Sequence, residues 1–172
     1  VFLSTNNGTS WTAVNSGLTN TDVLSLAVSP NGAGGTNLFA GTYGNVFLST
    51  NNGTSWTAVN SGLTNTDVLS LAVSPNGAGG TNLFAGTYGN VFLSTNNGTS
   101  WTAVNSGLLN FAVYSLAVSG TNLFAGTYGG VFHFTNNGTS WTEVNFGRTN
   151  FAVLSLAVSG TNLFAGTYGD GV

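Results

Sequence analysis

Four near-identical tandem repeats limit what this chain can fold into more than any other feature of its sequence. Residues 1–45 recur unchanged as residues 46–90, and two shorter copies follow at 91–130 and 131–170. The shorter copies read SGTN where the longer ones read SPNGAGGTN, so the difference in length falls in a turn rich in Pro, Gly and Asn. A period of 40–45 residues is typical of folds in which each unit buries its apolar face against its neighbours.

Each repeat contains four short runs of β-type residues. In the first copy the runs are 23–29, 37–42, 1–5 and 10–14, and turn-forming Gly, Asn and Pro residues separate them. No stretch shows helical periodicity. Four strands per 40–45 residues is the period of a propeller blade. The sequence therefore predicts an all-β fold, a β-propeller of four-stranded antiparallel blades with about four blades' worth of strands.

The first run of the first repeat, VLSLAVS, has two uncharged faces of different bulk. One face carries Leu24, Leu26 and Val28, and the other carries Val23 and the smaller Ser25, Ala27 and Ser29. A sheet with one solvent-exposed face would carry charged residues on that face, whereas blades that stack face to face bury both faces. A parallel β-helix is the competing fold, but its coils are usually shorter and lack a hairpin turn between every pair of strands.

The order of the runs divides the chain into blades that do not coincide with the repeats. Complete blades are predicted at 23–59, 68–104 and 113–144, with a split blade formed by 153–172 and 1–14. Pairing of the two halves would close a four-bladed ring, and the alternatives are part of a larger propeller or several copies that associate through their blade edges. Because the pattern starts and stops within a repeat, we expect a processed product or part of a longer chain.

The charge content of the chain is very low. Only 3% of its residues are charged, whereas a typical soluble domain has about 25%. Arg148 is the single Lys or Arg in the sequence, so we expect no nucleic-acid partner. No apolar run approaches the roughly 20 residues of a membrane span, so no membrane insertion is expected. With no cysteine, and with His133 as the single histidine, the sequence predicts no metal site and no cofactor.

The hairpin between the third and fourth runs carries one short motif in every copy. It reads STNNGTSW at 4–11, 49–56 and 94–101, and FTNNGTSW at 134–141. This motif resembles the Asp-box, S-x-D-x-G-x-[TS]-W, also called the BNR repeat, and the resemblance extends over the whole chain at fixed spacing. Asp-box propellers include sialidases, xyloglucanases, sortilin-type receptors and photosystem assembly factors, and this sequence looks most like repeat regions of secreted bacterial surface proteins. The resemblance implies a β-propeller with an extracellular or cell-surface location.

Three positions of the motif have a structural reason of their own. Asn6 offers a side-chain acceptor to nearby backbone N–H groups, Gly8 permits a positive φ, and Trp11 can cover the turn while its indole N–H finds an acceptor. Asparagine stands where the Asp-box has Asp, and Phe134 replaces the first Ser of the fourth copy; neither change favours cation binding. The expected structural residues are Asn6, Gly8, Trp11, Asn51, Gly53, Trp56, Asn96, Gly98, Trp101, Asn136, Gly138 and Trp141.

The chemistry-bearing residues argue against catalysis. Sialidases hold the substrate carboxylate with a cluster of arginines, and this chain has Arg148 alone. Glycosidases need two carboxylates that flank a bond, and Asp22 and Asp67, at equivalent positions of two repeats, are more typical of turn acids before a strand. Glu143 is expected to face solvent, and His133 is interpreted as an ordinary strand residue. We therefore predict no enzyme activity and no catalytic residues.

A repeated set of tyrosines defines a candidate ligand face. Tyr43, Tyr88, Tyr128 and Tyr168 lie in GTYG loops. Propeller topology places these loops at the same end as Asn45, Asn90, Asp22, Asp67, Phe111 and Phe151, the last of which lies outside the residues that the structure describes. Tyrosine beside neutral hydrogen-bonding groups suits a sugar or a peptide. The structural alternative is that each tyrosine closes its strand end against the next blade.

Three functions fit these observations. The first is a non-catalytic extracellular or cell-surface propeller that acts as scaffold, adhesin or binding platform for a glycan or protein. The second is an ancillary or carbohydrate-binding propeller of a glycan-active enzyme. The third is a structural subunit of an extracellular filament or sheath.

Overall fold

A computed structural model of the chain describes residues 1–109, 111–135, 140–145 and 152–169. These residues form strands and turns, without a helix among them. The strands are β1 (Phe2–Leu3), β2 (Thr12–Ala13), β3 (Val23–Pro30), β4 (Thr36–Thr42), β5 (Val46–Ser49), β6 (Thr57–Ala58), β7 (Val68–Pro75), β8 (Thr81–Thr87), β9 (Val91–Ser94), β10 (Thr102–Ala103), β11 (Val113–Ser119), β12 (Asn122–Thr127), β13 (Gly130–Thr135), β14 (Thr142–Glu143), β15 (Val153–Ser159) and β16 (Asn162–Thr167).

The strands assemble into three four-stranded antiparallel sheets and two two-stranded sheets. The larger sheets are β3–β4–β5–β6, β7–β8–β9–β10 and β11–β12–β13–β14, and in each the strands lie side by side in chain order. This is the arrangement of a propeller blade, and it confirms the predicted all-β propeller fold. The remaining strands form the separate sheets β1–β2 and β15–β16, so in the described residues the two halves of the split blade are not joined.

The outer strand of each blade is shorter than its sequence run predicts. The run 55–59 contributes only Thr57–Ala58 to the ladder. Ser55 instead donates its backbone N–H to the side chain of Asn51, and Trp56 donates its backbone N–H to Ser16 of the preceding blade. The local turn and the neighbouring blade therefore take backbone groups that a longer strand would have used.

The apolar core lies between consecutive blades. Leu71 and Phe92 of the β7–β10 blade are buried in one cluster with Phe39 of the β3–β6 blade, and Ala27 packs against the same cluster. The backbone N–H of Leu71 also donates a 2.9 Å hydrogen bond to Ser25 Oγ across this joint. The bulky face of one first strand thus packs on the small face of the first strand before it.

The second strand of each blade carries a glycine where the next blade comes closest. A Cβ at Gly41 would lie 2.6 Å from Val68 Cγ1, and a Cβ at Gly86 would lie 2.6 Å from Val113 Cγ1. Because such contacts leave no room for a side chain, glycine here sets the blade-to-blade distance.

None of the described residues belongs to a helix that is long and apolar enough to cross a membrane.

Candidate functional site

The turns that carry the STNNGTSW motif are held by a short hydrogen-bond network. Asn51 Oδ1 accepts a 2.9 Å hydrogen bond from the backbone N–H of Ser55, and Ser49 Oγ accepts a 2.8 Å bond from the backbone N–H of Gly53. Asn52 and Gly53 adopt positive φ angles of 54° and 83°. The first and third copies repeat these bonds around Asn6 and Asn96. The side chains satisfy backbone groups of the turn, which is a structural task.

The motif tryptophans link blades to one another. The indole N–H of Trp56 donates to the carbonyl of Val14, that of Trp101 to Val59 and that of Trp141 to Val104, at 2.8, 2.8 and 2.6 Å. Each acceptor belongs to the preceding blade. Trp56, Trp101 and Trp141 are buried, whereas Trp11 is 62% exposed.

The fourth copy of the motif departs from the other three. Phe134 cannot make the serine hydrogen bond, and its ring instead packs edge-on against Phe84, with centroids 6.4 Å apart, and against Trp141, at 5.1 Å. Apolar packing between blades therefore replaces a polar contact within the turn. Asn136 and Gly138 lie outside the described residues.

A second set of asparagines has a structural role that was not predicted from the sequence. Asn60 Oδ1 accepts from the backbone N–H of Val46, and Asn105 Oδ1 accepts from that of Val91, both at 2.7 Å. Asn105 also donates from Nδ2 to Asn90 Oδ1 at 2.6 Å. These residues tie the end of each outer strand to the start of the third strand. These asparagines recur at the same position in all four repeats, and this recurrence could have predicted a structural role for them.

The tyrosine loops present exposed side chains at one end of the propeller. Tyr43, Tyr88, Tyr128 and Tyr168 follow the second strand of each blade and are 43–75% exposed. In these antiparallel blades the same end also carries the segments that lead into each first strand.

The structure places one predicted aspartate directly beside a tyrosine. Tyr43 and Asp67 form an antiparallel backbone bridge across the joint between two blades, while Tyr88 pairs in the same way with Ala112. Asp22 is exposed, and its backbone N–H donates a 3.0 Å bond to Asn20 Oδ1. The two aspartates thus belong to different joints.

The β11–β14 blade carries an open pocket of about 280 Å³ at this end. Its lining consists of Leu109, Phe111, Tyr128, Gly129 and Glu143. The ring of Phe111 covers Gly129 so closely that a Cβ there would lie 2.3 Å from it. Glu143 is exposed, as expected, and its Oε1 accepts a 2.6 Å hydrogen bond from Asn145 Nδ2.

Three lining residues distinguish this pocket from the equivalent site of the preceding blade. Thr64, Thr66 and Ala103 stand there in place of Leu109, Phe111 and Glu143, whereas Tyr88 and Gly89 match Tyr128 and Gly129.

Among the pocket residues, Leu109 has an unusual backbone conformation and an exposed side chain. It has a φ of 56°, which is strained for a leucine, and its side chain is 64% exposed. Backbone strain combined with an exposed apolar side chain marks this residue as a candidate ligand contact.

The remaining chemistry-bearing residues form no recognisable centre. His133 stacks on Phe124 with ring centroids 4.9 Å apart and lies 3.0 Å from Asn122 Oδ1. Across the part of the chain that the structure describes, no three His, Cys, Asp or Glu residues group as a metal site would require. Arg148 lies outside the described residues.

Comparison with known proteins identifies the fold. No protein-family model and no curated protein matches the sequence. Among solved structures, an ancestral GH74 enzyme aligns with a TM-score of 0.76 and 26% identity, over 96% of this chain and 24% of that one. The extracellular domain of BT4673 from B. thetaiotaomicron aligns with a TM-score of 0.69 and 19% identity, over 85% of this chain and 20% of that one. The computationally designed Ika4 protein aligns with a TM-score of 0.67 and 16% identity, over 94% of both chains.

These similarities define the class to which the fold belongs. The chain is built as part of a β-propeller, with three complete blades and two half-blades among its described residues. It spans about a quarter of the length of the GH74 enzyme.

Proposed function

We propose that this chain is a non-catalytic Asp-box propeller module that acts outside the cell and binds a neutral glycan or a protein through its tyrosine face. The observation that carries the proposal is the exposure of all four loop tyrosines, at 43–75%, on a surface with very little charge. A tyrosine ring offers a flat apolar surface for a sugar ring, and its hydroxyl offers a hydrogen bond.

The pocket of the β11–β14 blade is the strongest part of this face. Tyr128 and Phe111 supply aromatic surface, and the carboxylate of Glu143 supplies an acceptor for ligand hydroxyl groups. A volume of about 280 Å³ is at the lower end of small-molecule sites, which suits one sugar ring or one side chain of a peptide.

The arrangement of the acids supports a binding role over a catalytic one. Asp22 and Asp67 lie at different joints, and Glu143 is the single acid among the described residues that line the pocket. A glycosidase needs a second carboxylate across the bond that it cleaves.

The likeness to the GH74 enzyme favours a second candidate, a carbohydrate-binding or ancillary propeller of a glycan-active protein. The likeness to the BT4673 extracellular domain supports a location outside the cell. A filament or sheath subunit is the third candidate, and ordered polymers without ligand binding would favour it.

Binding to an array of neutral oligosaccharides, followed by titration of the strongest one, tests the proposal. We expect Tyr128→Ala to weaken binding about tenfold or more, and Tyr88→Ala, at an equivalent loop without the pocket, to weaken it by less. Failure of every oligosaccharide to bind would exclude a glycan, and a pull-down of surface proteins would then test the protein arm. If replacement of all four tyrosines leaves the binding affinity unchanged, the tyrosine face is not the binding surface. Release of reducing sugars by the chain would overturn the non-catalytic assignment.

A further inference from the structure

The carboxylate of Glu143 is held at the pocket by the side chain of Asn145. Asn145 Nδ2 donates a 2.6 Å hydrogen bond to Glu143 Oε1 and a 3.0 Å bond to the carbonyl of Gly129. Its Oδ1 accepts a 2.7 Å bond from the backbone N–H of Val131. Because Asn145 is bonded to backbone groups on both sides, it fixes the carboxylate beside Gly129, which lines the pocket.

The equivalent asparagine of the preceding blade has a different partner. Asn105 donates from Nδ2 to Asn90 Oδ1 at 2.6 Å, and Ala103 stands where the pocket has its glutamate. In the pocket blade Gly130 replaces Asn90, and a Cβ at Gly130 would collide with the side-chain amide of the pocket's asparagine. The glycine therefore leaves that amide free to bond to the glutamate, so two substitutions in the repeat together place an acid at this site.

Aromatic side chains lie on the same side of the blade as this acid. Phe132 is the direct cross-strand partner of Glu143 in the β13–β14 ladder, so the two side chains leave the sheet on one face. Phe111 packs on Phe132 with ring centroids 6.3 Å apart. Phe111 also lines the pocket together with Tyr128, whose side chain is 65% exposed. The pocket thus combines a fixed carboxylate with two aromatic side chains.

The charge of the pocket is negative and is not compensated by its own lining. None of the described residues that line it carries a positive charge. A neutral ligand gains only hydrogen bonds from the carboxylate, whereas a cation is attracted both by the carboxylate and by the negative faces of the aromatic rings. Charge complementarity therefore favours a ligand group that is a cation.

We infer that this pocket binds the ammonium group of a lysine side chain on a partner protein. The inference rests on the proposed function, since it uses the same pocket of the tyrosine face, and it selects the protein over the glycan. A volume of about 280 Å³ accommodates one side chain, and the apolar stem of lysine packs on the aromatic rings while its ammonium group reaches Glu143.

The hydrogen bond from Asn145 favours lysine over arginine. A guanidinium group pairs best with both oxygens of a carboxylate, whereas an ammonium group is a point charge that needs only one. Asn145 already bonds to Oε1 of Glu143, which leaves Oε2 as the oxygen without a donor among the described residues.

Titration with two short peptides tests the requirement for charge. Both peptides are acetylated and amidated and consist of glycine except at the centre, which is lysine in one and norleucine in the other. Norleucine keeps the apolar stem and lacks the ammonium group. We expect the lysine peptide to bind at least about fivefold more tightly, with chemical-shift changes at the backbone amides of Tyr128 and Gly129. Equal affinities would overturn the inference, and tighter binding of an arginine peptide would overturn the choice of lysine.

Glu143→Gln separates the charge of the pocket from its shape. Glutamine keeps an oxygen that accepts from Asn145, so the fold and the pocket should be retained while the negative charge is lost. We expect the preference for lysine over norleucine to disappear, whereas Asp22→Asn, which removes the same charge at another joint, should reduce it by less. A preference that persists in Glu143→Gln would overturn the inference. Lysine binding that appears only in Arg148→Gln would show that the chain's own arginine occupies the pocket, and would overturn the partner.

Transfer of the site to the preceding blade is an independent test. That blade already has Tyr88 and Gly89 in place of the pocket's tyrosine and glycine. The variant combines Thr64→Leu, Thr66→Phe, Asn90→Gly and Ala103→Glu. We expect the lysine peptide then to shift the amides of Tyr88 and Gly89 as well. Absence of this second site in a variant that keeps its circular dichroism spectrum would overturn the assignment of the binding residues.

Failure of this inference differs from failure of the proposed function. A neutral oligosaccharide that binds through Tyr128, without binding of the lysine peptide, would overturn the lysine site and leave the proposed function standing. Lysine binding that is unaffected by Tyr128→Ala and by Glu143→Gln would place the cation elsewhere, and would overturn the inference.

Discussion

The indole N–H of Trp56 donates a 2.8 Å hydrogen bond to the backbone carbonyl of Val14, which belongs to the preceding blade. A residue of a local turn motif is therefore also a link between repeats. Since the equivalent bonds of Trp101 and Trp141 do the same, each of these three motifs stabilises the joint before it. Stability in such an array depends on the interfaces between neighbours as much as on each repeat.

Replacement of Trp101 by Phe should destabilise the fold by about 2–4 kcal/mol, because it leaves the Val59 carbonyl without its partner and opens a cavity in the joint. Chemical denaturation followed by circular dichroism measures this. Tyr88→Phe, which removes a polar group from an exposed aromatic ring, is the matched control and should change the free energy of unfolding very little. Equal effects of the two variants would show that the indole bond contributes nothing.

Gly62 and Gly77 form a matched pair for backbone strain and space. Both have a positive φ, but a Cβ at Gly62 would lie 2.4 Å from the Trp101 carbonyl oxygen, while nothing lies within 4 Å of one at Gly77. We expect Gly77→Ala to cost about 1–2 kcal/mol through its φ alone, and Gly62→Ala to cost at least about twice as much. Thermal unfolding of the two variants checks this, and similar melting temperatures would refute the tight contact.

Asn51 tests whether the motif needs a charge or only an acceptor. Asn51→Ala removes the acceptor of the Ser55 backbone N–H and should cost about 1–2 kcal/mol. Asn51→Asp introduces the residue of the Asp-box, which this motif resembles, and keeps the acceptor, so it should be close to wild type in the same unfolding experiment. Destabilisation by Asp as large as that by Ala would show that the amide donor to Ser55 Oγ is essential.

Substitutions of the neighbouring residues Leu109 and Leu108 by asparagine are expected to change the free energy of unfolding in opposite directions. Leu109→Asn should stabilise the chain by up to about 1 kcal/mol, because asparagine tolerates a positive φ and the exposed leucine is lost. Leu108 is 1% exposed, so Leu108→Asn should cost about 3 kcal/mol or more. Differential scanning calorimetry compares the two. A loss of ligand affinity in the stabilised Leu109 variant would link the strained backbone to binding; destabilisation by Leu109→Asn would show that the leucine packs in solution.

The repeats predicted much of the fold because periodicity and turn chemistry are local. Four strands per repeat, the turn glycines and the alternating bulk of VLSLAVS are all visible in the sequence, and the sheets follow their order. The short outer strands were not predicted, because the groups that end them, such as Ser16, lie in a different blade.

The candidate site was only partly visible. The loop tyrosines could be placed at one end by topology alone, since antiparallel order determines which loops share an end. The pocket could not be predicted in this way, because Leu109, Phe111 and Glu143 lie in segments that are separate in the sequence and come together only in the folded blade.

The sequence by itself determined the repeat, the strand order, the turn geometry and the absence of a basic or cysteine-based site, because each of these depends on residue identity and local spacing. Only the tertiary structure decided which tryptophan meets which carbonyl, how exposed each repeated residue is and which surfaces remain open. Identical residues such as Trp11 and Trp56 differ in burial because their neighbours differ. That difference arises from the position of a repeat in the array, which local chemistry does not encode.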